Sequence, residues 1–276
     1  MEMQFERNDF KKRLTSMLKV DFRRMFLSSF FYIMLGIALV VPILILVMTT
    51  MMEGTVSVNP QTGAETIMHG FDSVWQILGS VSTPMAGADS AAGGAGMSMD
   101  LVSMCNINMM YFGVAVLVCV FVCDDFRSGY AKNLFTVRAK KTDYVISKTV
   151  VCSVGAALML VLFFIGAMLG GGVASLPFDM VGFTAGNVVC CMLAKLFLVI
   201  LFVAVYTLAS VIAKQRLWLS MVLSLGIGML FFTMIPMITP LDSTAMNAGL
   251  SLGGGILFSI GLGAISNLVL KKTSLV

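Results

Sequence analysis

Lys195 stands deep inside a long apolar run. An ammonium at that depth of a bilayer costs at least about 2.5–3.5 kcal/mol. It must therefore face a cavity, a partner or a seam between subunits, or else snorkel its head to the interface along its four-carbon stem. Asn187 and nearby backbone carbonyls are its candidate partners, since no carboxylate lies within the membrane runs. Cys119 and Cys123 share a helix face as a metal pair would. No His, Cys or carboxylate completes a ligand set around them, and Cys105, Cys119, Cys123, Cys152, Cys190 and Cys191 read as small apolar residues of the spans. The 24 methionines are scattered rather than clustered as copper ligands and suit an adaptable apolar lining. His69, the one histidine, sits in a loop without a partner pattern and reads as solvent-facing. A second concentration of chemistry lies between Asp124 and Lys148, where acidic and basic residues frame Leu134, Phe135 and Val137. Such a stretch exposes a short apolar ridge edged by charge and suits docking of a partner; a solvated turn that only secures topology is the plainer reading.

The elements that must hold these residues are set by composition. Of 276 residues, 58% are hydrophobic and 12% charged, with a mean hydropathy of +0.97. A soluble domain carries charge on roughly a quarter of its residues, so the expected fold is an all-α polytopic membrane protein with a single transmembrane domain over 1–276. About 20 apolar residues cross a bilayer core as helix. Six stretches qualify, at about 26–52, 101–123, 149–170, 184–212, 218–238 and 248–270. Pro42 and Pro236 interrupt the first and fifth, which a spanning helix tolerates when its neighbours re-satisfy the freed groups. Residues 5–24 place Phe10, Leu14, Met17, Leu18, Phe22 and Met25 at helical spacing among basic residues, the pattern of an amphipathic interfacial helix. Gly166 and Gly170, and the glycines of 249–263, suit close helix approach.

Lys and Arg fall on one side of this six-span scheme, in 7–24, 127–148, 214–216 and 271–272. The other side holds Glu53, Glu65, Asp72, Asp89, Asp100, Asp179 and Asp242. The positive-inside rule then makes both termini cytoplasmic, 53–100 an extracytoplasmic loop and 124–148 a cytoplasmic one. In the outer loop, 86–96 reads as flexible, and the patch around Trp75 as a short helix resting on the outer interface. The first apolar run is too long for the core of a signal peptide. The net charge of +4 sums two faces of unlike sign and implies no nucleic acid.

The run Asp124-Asp125-Phe126-Arg127-Ser128-Gly129-Tyr130-Ala131-Lys132-Asn133-Leu134, followed by Arg138, Tyr144 and Ser147-Lys148, resembles the cytoplasmic loop of type-2 ABC transporter permeases. The similarity is to the bacitracin-resistance, lantibiotic-immunity and peptide-toxin exporter branch. Six spans, cytoplasmic termini and an amphipathic connecting helix are also features of that family. The pattern departs from the family in having Asp at 124 or 125 where Glu is usual, and in its large first outer loop and short connection around Asp242.

The resemblance implies that 124–148 is a coupling loop seated on a separate ABC ATPase subunit, with Asp124, Asp125, Arg127, Gly129, Lys132, Leu134, Phe135 and Arg138 transmitting its closure. It implies a permease homodimer in a two-plus-two complex in the bacterial cytoplasmic (plasma) membrane, exporting amphipathic antimicrobial or cytolytic peptides. Lys195 would be a substrate-cavity residue. The chain has no Gly-x-x-x-x-Gly-Lys-Ser/Thr loop, so it is expected to be no enzyme and to bind no cofactor or metal, with ATP and Mg held by the partner. The rival expectations are a non-transporting scaffold or sensor that docks a cytoplasmic partner, and export of another hydrophobic or lipid-like substrate.

Overall fold

The computed structural model describes residues 2–58, 65–67, 70–80, 105–137, 140–180, 182–232 and 234–272. His69, Arg138 and the glycine-rich tract 86–96 lie outside the described residues.

The described chain is helical apart from one small hairpin. Helix α1 (Glu2–Leu27) carries the basic flank. The chain leaves helical geometry at Ser28, and α2 (Ser29–Met52) follows as an almost wholly apolar helix that stays helical through Pro42. Strands β1 (Val56–Val58) and β2 (Glu65–Ile67) pair antiparallel, Val56 opposite Ile67. A 3-10 turn at Val74–Leu78 and another at Ile107–Met109 precede α3 (Met110–Arg127). Short α4 (Tyr130–Val137) leads into α5 (Lys141–Val173), then α6 (Ala185–Ala213), α7 (Leu217–Phe232), α8 (Ile235–Ile238) and α9 (Ala245–Lys272).

Five of these stretches, within α2, 107–127, α5, α6 and α9, are long and apolar enough to cross a membrane. The chain thus has the character of a multi-pass membrane protein. The expected fifth span, 218–238, is instead divided. Pro236 has no N–H to give the carbonyl of Phe232, one turn back, and the helix ends there, leaving α7 with 16 residues. At about 1.5 Å per residue that helix falls short of a bilayer core of about 30 Å. The expected third span, 149–170, proves longer at both ends. The first two turns of α5, Lys141–Lys148, continue the helix toward the charged end of the bundle.

Helices α5 and α6 form the centre. α2 lies along α5, α9 along α6, and α3 and α7 close the remaining flank against α6. The α2–α5 contact shows why small residues are needed: a Cβ on Gly166 would run into the Leu39 carbonyl oxygen, and one on Gly170 would lie 2.9 Å from the Ile43 Cα. Without the glycines the two backbones could not approach this closely. Outward faces are apolar, with Leu44 and Met48 of α2 and Leu250, Leu257 and Ile260 of α9 all exposed.

The patch at Trp75 does not rest on the surface. Val74, Ile77 and Leu78 are fully buried. The Trp75 indole N–H donates to the Phe178 carbonyl at 3.0 Å, and Val74 N–H donates to Pro177 at 3.2 Å. Leu241 N–H reaches the Ser80 carbonyl at 2.8 Å. The segment plugs the acidic end of the bundle because its apolar side chains gain more by packing on α5 than by lying at an interface.

Candidate functional site

At the opposite, basic end, a set of charges is drawn out of solvent. One face of α1 carries Met17, Asp21 and Met25 at four-residue spacing, all buried, so the helix presents a carboxylate within an apolar stripe. Lys148, in the second turn of α5, meets it: Nζ lies 2.8 Å from Asp21 Oδ1 and 2.7 Å from Asp125 Oδ2, and the side chains of all three residues are 0% exposed. Arg24, one turn beyond Asp21, places Nη1 2.6 Å from the other Asp125 oxygen. Ser147 Oγ donates to Asp21 Oδ2 at 2.6 Å and Tyr144 OH to Asp125 Oδ2 at 3.0 Å. Two carboxylates and two cations thus cancel, which makes their burial tolerable. Aromatic faces cover the cations: Lys148 Nζ stands 4.2 Å from the Phe121 ring centre and Arg24 Cζ 4.0 Å from that of Tyr130.

Burial pulls the Arg24 pKa down, but Asp125, Tyr130 and Asp21 together more than offset it, and the net shift is upward, so the guanidinium keeps its charge. Burial, reinforced by Asp21, pushes the Tyr130 hydroxyl above its ordinary value. Two further ties brace this end: Arg13 Nε to Asp143 Oδ2 at 3.2 Å, and Lys141 Nζ donating to the Leu270 carbonyl at 2.6 Å.

The clamp positions α4. Gly129 adopts φ +75°, a backbone conformation that favours glycine, and so turns the chain from α3 into α4. Arg127, Lys132, Asn133 and Thr136 are exposed, whereas Ala131 is buried and Leu134 and Phe135 are half-buried against the core. Phe135 meets the Tyr144 ring edge-on at 5.3 Å. The expected exposed ridge of Leu134 and Phe135 is therefore corrected: those side chains turn inward to anchor α4, and its outer face is polar. Asp124, Asp125 and Arg127 end helix α3 rather than opening a loop. The two adjacent carboxylates are separated by helical geometry, Asp125 inside the clamp and Asp124 exposed.

Lys195 is 0% exposed. Its Nζ donates to Asn108 Oδ1 at 2.8 Å, to Thr239 Oγ1 at 2.8 Å and, more loosely, to the Thr239 carbonyl at 3.4 Å. Rather than snorkelling, the ammonium ties α6 to the start of α3 and the end of α8. Asn187 is not its partner: it forms a reciprocal cap with Thr184 at the head of α6 and donates to the carbonyls of Asp242 and Ser243, each at 3.1 Å. All six cysteines are free, and four are buried.

Four residues of these two networks escape a reading of the sequence, and Arg24 was legible only as part of the basic flank. Asp21 had a signal, a lone carboxylate four residues from both Met17 and Met25. Asn108 and Thr239 had none, because only folding brings positions so distant in sequence to one ammonium. Compared with known proteins, the chain matches no family model, no curated protein and no solved structure.

Proposed function

We propose that this chain is the membrane subunit of an ATP-driven exporter of the type-2 ABC kind, working as a homodimer with two separate ATPase subunits in the bacterial plasma membrane. In this reading the basic end, with both termini and α4, faces the cytoplasm, and the cargo is an amphipathic peptide. The observation that carries it is the buried clamp of Asp21, Arg24, Asp125 and Lys148, which fastens α1, the end of α3 and the start of α5 into one unit, with α4 packed on it through Tyr130 and Phe135 and its polar face exposed. A partner that pushes on Arg127, Lys132 and Asn133 displaces the whole unit, since moving α4 alone would lift Tyr130 off Arg24 and Phe135 off Tyr144. The motion enters α5 along its axis and α2 through the break at Ser28. ATP and Mg act in the partner, and this chain supplies the docking face and the lever.

The test is co-purification with the ATPase encoded beside the chain, in nanodiscs, read as complex mass and as peptide-dependent ATP hydrolysis. Arg127→Glu with Lys132→Glu is expected to abolish the complex while the chain alone keeps its thermal midpoint. A complex that persists overturns the docking assignment. A complex whose hydrolysis ignores amphipathic peptides, and which moves none, favours a scaffold or another hydrophobic cargo.

A further inference from the structure

The two fully buried lysines of the described chain are held in opposite ways. Lys148 and Lys195 are both 0% exposed. Lys148 lies between two carboxylates, whereas Lys195 forms no ion pair among the described residues and meets only the neutral oxygens of Asn108 and Thr239. The Thr239 hydroxyl gives its own hydrogen to the Ile235 carbonyl at 2.9 Å, and an amide oxygen or a carbonyl only accepts. All three bonds therefore draw on Nζ, and three donors require the ammonium form. The acidic end thus encloses a positive charge that no carboxylate cancels, and withdrawing water from such a charge opposes closure.

What keeps water out is the segment around Trp75, where Phe71, Val74, Trp75, Ile77 and Leu78 are buried. Among the described residues, the hydrogen bonds that tie this segment to the rest of the bundle run to Pro177, Phe178 and Leu241. Those partners sit in the connections that follow α5 and α8, not in the helices. The seat on α5 is smooth, since Val74 occupies the place that a Cβ on Gly171 would take. The segment also touches the connection that serves Lys195: a Cβ on Gly79 would lie 3.6 Å from the Thr239 carbonyl oxygen, and Leu241 N–H donates to Ser80. Apolar burial draws the segment in, and the dehydrated ammonium beside it drives it out. Two opposed terms acting at one seam are what a two-state element needs.

We propose that residues 70–80 form a lid over the acidic end, held shut by their apolar side chains and pressed open by the uncancelled charge of Lys195. Opening returns water to Nζ and uncovers Cys191, whose Sγ lies 3.7 Å from the Thr239 carbonyl oxygen and is buried in the closed form. The lid concerns access to the bundle interior at the acidic end and uses none of the docking residues.

Full-length protein in nanodiscs, with Cys191 kept and the other cysteines replaced by alanine, would be reacted with a membrane-impermeant maleimide. The rate reports the population of the open form, because only that form presents the thiol. A Ser80→Cys variant of the cysteine-free chain gives the rate of an exposed thiol, since Ser80 is exposed. Cys191 should react far more slowly than that control. Trp75→Leu, which removes ring burial and the bond to Phe178, should speed the reaction about ten-fold, while amide exchange within 141–173 stays at the wild-type rate. Lys195→Met with Asn108→Leu removes the charge together with the oxygen it would orphan, and Thr239 keeps its bonds to Ile235 and Cys191. That double variant should react about ten-fold more slowly than wild type, a change that misfolding would not produce. Reaction of Cys191 at the control rate, indifference to Trp75→Leu, or a double variant that reacts as fast as wild type or faster overturns the proposal. Because no ATPase is present, these outcomes are independent of the exporter reading.

Discussion

Lys148 is the residue on which the charged end turns, because among the described residues it alone forms ion pairs with both Asp21 and Asp125. Lys148→Met would leave two buried carboxylates with one half-exposed arginine between them. Breaking a buried pair costs about 3–5 kcal/mol, so the thermal midpoint in nanodiscs should fall well below that of Arg13→Gln, whose amide can still donate to the Asp143 carboxylate that the partly exposed arginine meets. Lys195 makes a separate residue-scale case. Lys195→Met orphans Asn108 Oδ1, a loss of about 1–3 kcal/mol. Pairing it with Asn108→Leu removes the orphan, so the double variant should cost less than the sum of the two single ones. Strict additivity in that cycle would mean that the contact carries no coupling energy.

At the scale of elements, the seam between α2 and α5 depends on absent side chains. A methyl at Gly166 collides with backbone of α2, which cannot give as a flexible side chain would. Gly166→Ala should cost about 1–3 kcal/mol, measured as a drop in thermal midpoint, and Gly166→Leu more. Gly253 on α9 offers the control: nothing lies within 4 Å of the place a Cβ would take there, and its alanine variant should stay within about 0.5 kcal/mol of wild type. The same reasoning explains why only part of the glycine pattern was legible. Gly166, Gly170 and Gly255 serve contacts within the subunit, whereas Gly249, Gly253, Gly254 and Gly261 face open space. The sequence shows a small residue at each position but not which faces meet.

Over the whole molecule, the two ends of the bundle differ in kind. The basic end is braced by ion pairs, and the acidic end is closed by the Trp75 segment and the Lys195 tie. Short α7 must be continued by α8 if the chain is to return to the acidic end before α9. In a cysteine-free background, Cys introduced at 215 and at 242 should therefore react with a membrane-impermeant maleimide from opposite sides of the membrane. Reaction of both from one side would mean that α7 and α8 re-enter rather than cross, and would remove the six-span arrangement.

Hydropathy suffices for five long apolar helices and their apolar outer faces, because each follows from local composition, but not for the division of 218–238 into α7 and α8. Hydropathy and charge placement also single out 124–137 as a place where chemistry gathers. What they leave open is which of two neighbouring carboxylates faces inward, and that Leu134 and Phe135 are half-buried against the core rather than exposed. They do not show that the Trp75 segment is buried, or that Lys195 has Asn108 and Thr239 for company. Those outcomes depend on contacts between residues far apart in sequence, such as Arg13 with Asp143 and Ser80 with Leu241. A buried charge is tolerable only where a distant partner arrives to satisfy it, and only the packing of the helices decides which partner that is.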